Sequence, residues 1–133
     1  MSASSHRSLL LDTNIVIAVF GGYHGLKWQI AYDAQYLIPC IVVGELLYGA
    51  HFSSEVRGNI REIEAFVDAM EVIGCDRATA AQFGITKSEL RRAGNLIPDN
   101  DIWIASIAIQ NRLTLISRDA HFEAVPGLRL QTW

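Results

Sequence analysis

The sequence lacks the features of a membrane-spanning or secreted protein. No apolar stretch approaches the roughly 18 to 20 uninterrupted residues that a membrane-spanning helix requires, and the polar start, residues 1–7, lacks a secretory apolar region. The two cysteines, Cys40 and Cys75, lie far apart within apolar runs, which indicates neither a zinc site nor a disulfide framework. We therefore expect a cytoplasmic protein with no membrane contact, in which both cysteines are buried, reduced thiols.

The sequence also lacks the excess of basic residues that is usual in proteins binding a phosphate backbone, since its net charge is −3. The distribution of acids changes this interpretation. If five of the fourteen acids gather in one metal site, the other nine face eleven Lys and Arg residues, and the rest of the surface carries about +2. The five are Asp12, Glu45, Asp99, Asp101 and Asp119. The net charge therefore does not exclude a nucleic-acid enzyme.

Charged residues are scarce, at 19% of the chain, whereas hydrophobic residues make up 50%. This balance favours a folded chain over a disordered one. A length of 133 residues suits one domain. We expect a flexible N-terminus over residues 1–7 and a single domain over residues 8–133.

Short apolar runs alternate with helical patterns along the chain. Strands are predicted at 8–11, 36–38, 71–75, 113–116 and 128–130, and helices at 15–20, 23–33, 41–50, 53–70, 77–92 and 100–111. A serine pair is expected to cap the helix over 53–70. The helix over 100–111 is apolar on nearly every side, so it should be surrounded by protein. This order is typical of a parallel sheet covered on both faces, where ligands bind at the carboxyl ends of the strands.

Two acids follow predicted strands. Asp12 comes directly after the first strand, and Asp119 follows the strand over 113–116 by three residues. Asp12 would serve equally well as a helix N-cap, and Asp119 equally well as part of a surface turn. Thr13 and Asn14 share this ambiguity, because each can bond backbone groups in the turn or face a catalytic water.

Glu45 stands in the run IVVGELLY, which is otherwise almost entirely apolar. A carboxylate is rarely buried without a partner, and no basic residue lies within five positions of Glu45. A bound cation and exposure to solvent both remain open as explanations.

Asp99 and Asp101 flank Asn100 at the start of the apolar helix, where the helix dipole favours negative charge. Residues two apart on a helix point to nearly opposite sides, so both can address one site only if Asp99 is still in the preceding loop. We expect Asp101 to be the closer ligand and Asp99 to be accessory.

The recurrence of acids at one edge of the predicted sheet is more economically explained by a shared site than by four independent caps. Crowded carboxylates raise one another's pKa unless a cation neutralises them. Mg²⁺ and Mn²⁺ prefer such oxygen ligands. An ion held there can orient and deprotonate a water for in-line attack on a phosphodiester, so no nucleophilic Ser or Cys is needed.

Four stretches of the chain resemble, in order and spacing, the motifs of PIN domains of the VapC type, the ribonuclease toxins of VapBC toxin–antitoxin pairs. They are residues 9–14 (LLLDTN), 44–50 (GELLYGA), 97–106 (IPDNDIWIAS) and 115–122 (LISRDAHF). Each motif is weak alone, whereas four in order are specific. The similarity runs from about Leu9 to the end of the chain, and residues 125–130 fit the usual last strand.

The resemblance implies an α/β/α sandwich around a four- or five-stranded parallel sheet. It implies that Asp12, Glu45, Asp101 and Asp119 form the acidic quartet, with Asp99 as an additional acid. Thr13 matches a hydroxyl residue that tends to orient the catalytic water, and Ser117 stands where relatives often have Thr or Ser. Arg118 and Asp119 stand at positions that vary more within the family.

The resemblance further implies a Mg²⁺- or Mn²⁺-dependent endoribonuclease that commonly cleaves structured tRNA or ribosomal RNA. A cognate antitoxin would inhibit it, and members of the family usually form homodimers.

Three other functions compete with this one. A catalytically inactive PIN protein that binds RNA or a partner would keep the fold, but degenerate relatives usually lose one or more acids. A phosphoacceptor receiver domain would need an acidic pair near the first strand and a lysine after the last strand, and the chain has neither. A haloacid-dehalogenase-like phosphatase would need a second Asp where Asn14 stands.

Overall fold

The computed structural model describes residues 7–20 and 34–133. The helix predicted over 23–33 and most of the predicted flexible N-terminus lie outside these residues. The strands are β1 (Arg7–Leu11), β2 (Ala34–Pro39), β3 (Glu71–Ile73), β4 (Thr114–Ile116) and β5 (Arg129–Gln131). The helices are α1 (Thr13–Phe20), α2 (Cys40–His51), α3 (Val56–Asp68), α4 (Arg77–Arg92) and α5 (Asp99–Gln110), and a 3-10 helix spans Ala120–Ala124.

The five strands form one parallel sheet in the order β3-β2-β1-β4-β5. Strand β1 lies at its centre, and Leu10 is opposite Leu37 of β2 and Leu115 of β4. Because every strand runs the same way, the carboxyl ends of β1, β2 and β4 meet at one edge. The predicted parallel α/β fold is confirmed, with five strands.

The central strands are buried on both faces, which is why they appear as continuous apolar runs in the sequence. Leu9, Leu10 and Leu11 of β1 are almost completely buried, as are Leu115 and Ile116 of β4. The edge strand β3 is more exposed, and Val72 retains 44% of its accessible surface. The core therefore lies around β1 and β4, whose ends carry two of the predicted acids.

Helix α5 is enclosed by protein, as its apolar sequence predicts. Ile102, Ile104, Ala105, Ile107 and Ala108 are fully buried. The polar exception in mid-helix, Ser106, is also buried, and its hydroxyl donates to the carbonyl of Ile102. The first turn of α5 thus projects from a fixed support.

The serine pair does not cap α3, so that prediction is wrong. Helix α3 begins at Val56, and its N-cap, Glu55, makes no capping bond through its side chain. The Ser53 hydroxyl instead donates to the carbonyl of Ala50 at 2.6 Å and accepts from Asn59 Nδ2 at 2.8 Å. Ser53 therefore closes the end of α2, because the carbonyls of that last turn lack helical partners.

The expected burial of the two cysteines is also wrong, because both are exposed and free. Cys40 is the first residue of α2, and Cys75 lies just beyond the short edge strand β3. Residues at the ends of strands and helices lie at the margin of the core. Cys40 and Cys75 are therefore exposed even though their neighbours in sequence are apolar.

No helix within residues 7–20 and 34–133 combines the length and apolar character needed to cross a bilayer.

Candidate active site

The ends of β1 and β4 bring Asp12 and Ser117 side by side. The amide of Asp12 donates to the carbonyl of Ile116 at 3.1 Å, which extends the pairing of the two strands by one residue. The amide of Ser117 in turn donates to the carbonyl of Gln131. Two residues that lie 105 positions apart in sequence are therefore fixed next to each other by the sheet.

The Asp12 carboxylate is buried and makes two hydrogen bonds. Its Oδ1 accepts from the amide of Thr13 at 2.8 Å, and its Oδ2 accepts from the Ser117 hydroxyl at 2.7 Å. An N-cap side chain normally bonds an amide two or three residues onward, and here the backbone carbonyl of Asp12 receives the amides of Ile15 and Val16. Capping thus does not account for the carboxylate, which is held toward β4.

Ser117 connects Asp12 to Asn14 and to the loop after β4. Besides donating to Asp12, its Oγ accepts from the amide of Asp119 at 3.0 Å and from Asn14 Nδ2 at 3.4 Å. Asn14 Oδ1 accepts from the amide of Arg118. Asn14 therefore holds the loop after β4, and Ser117 orients the first acid.

Glu45 approaches from α2 and is half-buried. Its Oε1 accepts from the Thr13 hydroxyl at 3.2 Å, and its Oε2 accepts from Asn100 Nδ2 at 3.4 Å. These donors join Glu45 to the starts of α1 and α5. Asn100 was given no role from the sequence, because only the fold shows that it reaches a residue 55 positions earlier.

Asp101, Asp119 and His121 form the most compact group of the site. His121 Nδ1 lies 3.2 Å from Asp101 Oδ2 and 3.2 Å from Asp119 Oδ1. Asp119 Oδ1 also accepts from the amide of His121 at 2.9 Å. One potential ligand atom from each of the three residues lies within 4.8 Å of the others.

His121 was not predicted as a site residue, although it lies in the stretch that resembles the fourth motif. The available signal was its position two residues after Asp119 in a turn, where a local backbone bond brings its ring back toward that carboxylate.

Asp99 lies elsewhere. It is the first residue of α5, and its carboxylate forms an exposed ion pair with Lys87 Nζ at 2.9 Å. Asp101 points into the site from the same turn of helix, as the angle between residues two apart requires. The structure thus brings Asp12, Glu45, Asp101 and Asp119 together and leaves Asp99 outside the group.

Three of the acids have raised pKa values, and burial is the main cause in each. The carboxylates of Asp101 and Asp119 further raise the pKa of Asp12, while hydrogen bonds from Ser117 and Thr13 oppose the rise. Asp12 and Asp101 raise the pKa of Glu45 against the bonds from Thr13 and Asn100. Asp119 raises the pKa of Asp101, and His121 opposes it. The acids therefore share one electrostatic environment.

The donor set fits a hard divalent cation. Across residues 8–20 and 34–133, no Lys or Arg side chain lies within ion-pair distance of Asp12, Glu45, Asp101 or Asp119. Among these described residues, the ion-pair partner of the acids is the His121 ring, which lies beside Asp101 and Asp119. Carboxylate oxygens suit Mg²⁺ and Mn²⁺, and an added imidazole nitrogen favours Mn²⁺ over Mg²⁺.

Comparison with known proteins gives a consistent set of similarities. The sequence description of the PIN domain matches residues 9–128. "Ribonuclease VapC2" of Haemophilus influenzae is 37% identical, with coverage of 93% of this chain and 96% of the relative. "tRNA(fMet)-specific endonuclease VapC" of Salmonella typhimurium is 32% identical, with coverage of 72% and 74%.

Among solved structures, VapBC2 from Rickettsia felis bound to a DNA fragment from its promoter superimposes with a TM-score of 0.86. The matched chain is 28% identical, and the match covers 95% of this chain and 98% of that one.

Proposed function

Because this chain belongs to the PIN-domain family, we propose that it is a Mg²⁺- or Mn²⁺-dependent endoribonuclease and the toxin component of a type II toxin–antitoxin pair. One observation carries the proposal. Four acids from four separate segments converge at the carboxyl edge of the sheet, and the pKa values of Asp12, Glu45 and Asp101 are raised there. Such a concentration of carboxylates suits a cation site better than a structural role.

Asp101, Asp119 and His121 would bind the ion. The carboxylates of Asp12 and Glu45 would add negative charge around it. When bound, Mg²⁺ or Mn²⁺ supplies Lewis-acid activation of a water and stabilises negative charge on the phosphodiester oxygens. Ser117 fixes the Asp12 carboxylate by a 2.7 Å hydrogen bond. Thr13 binds Glu45, so its hydroxyl lies between two of the acids and is placed to orient a water.

RNA is the proposed substrate, because relatives of this chain carry the names ribonuclease and tRNA(fMet)-specific endonuclease. The charge distribution is compatible with it. Once a divalent ion offsets the acidic centre, the remaining surface has a slight excess of basic residues. Structured RNA, such as tRNA or ribosomal RNA, is therefore the first substrate class to test.

An antitoxin is the proposed protein partner, since the solved relative from Rickettsia felis is a VapBC2 complex. Helices α1, α2 and α3 enclose an apolar groove lined in part by Ile17, Leu46 and Ile63, and Glu45 lies on its wall. Ile17 leaves 56% of its surface exposed there. A partner segment buried in this groove would cover Glu45. The homodimer implied by the family resemblance stays a prediction.

The nuclease proposal is tested by incubating the purified chain with labelled tRNA, with Mg²⁺, with Mn²⁺, or with excess chelator. We expect cleavage only with a divalent ion. Asp101→Asn should reduce the rate by about 100-fold or more, because a ligand and its charge are lost. Glu64→Gln, at an exposed position of α3, is the matched control and should cleave at the wild-type rate.

Circular dichroism would establish that both variants are folded. Undiminished cleavage in excess chelator, or full activity of folded Asp101→Asn, would refute the metal mechanism. Metal binding without cleavage of any tRNA or ribosomal RNA would favour the inactive RNA- or partner-binding protein.

A further inference from the structure

Cys40 and Cys75 leave neighbouring strands at the same edge of the sheet. Pro39 of β2 is paired with Ile73 of β3. Cys40 directly follows Pro39, and Cys75 follows Ile73 by two residues. In this register Cys40 corresponds to Gly74, one position before Cys75. Adjacent strands lie about 4.8 Å apart, and a disulfide spans Cα separations of about 4.4 to 6.8 Å, so a one-position offset is compatible with a bond. The Cys40 thiol lies close enough to Cys75 to contribute to the raised pKa of the Cys75 thiol.

Both cysteines are exposed, so a small reagent can reach them. Neither belongs to the acidic centre described above. Burial raises the pKa of the Cys75 thiol, and the neighbouring Cys40 thiol and the Asp76 carboxylate raise it further. The arrangement differs from a single surface thiol, because the pairing of β2 with β3 places the second thiol near the first.

We propose that Cys40 and Cys75 form a redox-sensitive modification site, at which a low-molecular-weight disulfide produces an intramolecular disulfide. This inference goes beyond the nuclease proposal and does not depend on it.

The oxidation proceeds by two thiol–disulfide exchanges. The thiolate of one cysteine attacks glutathione disulfide, which breaks the glutathione S–S bond, forms a mixed disulfide and releases one glutathione thiolate. The thiolate of the other cysteine attacks the protein sulfur of that mixed disulfide and releases the second glutathione. The protein loses two protons and two electrons, and glutathione disulfide gains them as two thiols.

The bond would join two functional parts of the fold. Cys40 begins α2, the helix that carries Glu45, and Cys75 precedes Asp76, the N-cap of α4. The closed loop would contain all of α2 and α3. Because a cross-link restricts the unfolded chain, the oxidised protein should melt about 5 to 15 °C higher than the reduced protein.

The test is to incubate the full chain with glutathione disulfide at neutral pH and to analyse intact mass and tryptic peptides without reduction. We expect a monomer that has lost two hydrogen atoms, with residues 28–57 cross-linked to residues 62–77. Dithiothreitol should reverse both the cross-link and the rise in melting temperature. Cys40→Ser and Cys75→Ser are matched controls and should yield only a glutathione adduct on the remaining thiol.

Three results would overturn the proposal. They are wild-type protein carrying two separate glutathione adducts, disulfide-linked dimers as the main product, or unmodified thiols under conditions that modify each single variant. The wild-type peptide map decides the question by itself if either variant fails to fold.

Discussion

Asp99 and Asp101 show how far the surroundings of a side chain determine its chemistry. They lie two positions apart in the first turn of α5. Asp99 is exposed and paired with Lys87, whereas Asp101 is buried beside His121 and Asp119. Burial and the Asp119 carboxylate raise the pKa of Asp101, so its ionised form is disfavoured without a cation. The same residue type forms an exposed ion pair at one position and joins a cluster of acids at the other.

This difference gives a prediction for Asp101→Asn in the metal-free protein. A raised folded-state pKa means that protonation stabilises the fold. That stability is fully present below the unfolded pKa of about 4 and is lost as pH rises through the folded pKa. Asparagine does not ionise, so at pH 7 in chelator the variant should melt about 2 to 5 °C above wild type. Thermal melts between about pH 4 and pH 7 measure the difference in melting temperature between the variant and the wild type, which should increase with pH.

Asp99→Asn is the matched control, because it removes the same charge from an exposed ion pair that contributes little to stability. It should melt at or slightly below the wild-type temperature across this range. A drop in the melting temperature of Asp101→Asn at neutral pH would show that its carboxylate is structural.

At the scale of elements, contacts between the antiparallel helices α4 and α5 support the first turn of α5, which carries Asp101. The Asp76 carboxylate accepts from the amide of Thr79 at 3.0 Å and from Gln110 Nε2 at 2.8 Å, which ties the start of α4 to the end of α5. Thr79 also bonds Gln110. Farther along, the rings of Phe83 and Trp103 stack with centroids 4.0 Å apart. Helix α4 therefore fixes the position of α5.

Replacement of the cap tests this arrangement. Hydrogen bonds from Thr79 and Gln110 lower the pKa of Asp76, so its stabilising effect is present above the unfolded pKa and is lost as pH falls through the folded pKa. Asp76→Ala should lower the melting temperature at pH 7 by about 3 to 6 °C, and the difference should shrink in acid. Thermal melts at neutral and acid pH provide the measurement.

Asp76→Asn retains a good N-cap but cannot titrate. Its melting temperature should stay close to that of the wild type at neutral pH. The part of the cap's stabilising effect that changes with pH should be lost. Equal destabilisation by Asn and Ala would mean that the charge, and not the hydrogen bond to Thr79, stabilises the junction.

For the whole molecule, the sequence predicted the fold well because the relevant signals are local. Continuous apolar runs predicted β1 and β4, and the all-round apolar pattern predicted the burial of α5. The acids after β1 and β4 were expected at the carboxyl edge, and the structure brings Asp12 and Asp119 there.

The predictions that were missing or wrong for His121 and for the two cysteines depend on contacts between segments that lie far apart in sequence. His121 gained its role from Asp101, twenty positions earlier, and no periodicity indicates such a contact. Cys40 and Cys75 meet only because β2 pairs with β3. The error at Ser53 is more local, since its hydroxyl donates to Ala50 at the end of α2 and accepts from Asn59 Nδ2 of α3 without capping α3. Composition does not specify which distant segments meet.

Because the site draws on several elements, ion binding should stabilise the whole fold. A ligand that binds only the folded state at 100 times its Kd contributes about 2.7 kcal/mol. We therefore expect saturating Mn²⁺ to raise the wild-type melting temperature, and excess chelator to reverse the rise. His121→Asn should shift the Mn²⁺ titration midpoint upward by about 10- to 100-fold.

Mg²⁺ provides the matched comparison. His121→Asn should shift the midpoint of the Mg²⁺ titration less than that of the Mn²⁺ titration, because an imidazole nitrogen contributes less to a magnesium site. Calorimetric titration gives both affinities. A Mn²⁺ affinity that is unchanged by His121→Asn would place the ion on the carboxylates alone.

The hydrogen bond between Asp12 and Ser117 also bears on how the protein is made. A chain growing on the ribosome contains Asp12 early, but it has no Ser117, Asp119 or His121 until most of its codons have been read. Strand β1 meanwhile lacks β4 beside it. Products of interrupted translation that end before β4 therefore lack Ser117, Asp119 and His121, and the acidic centre cannot assemble in them.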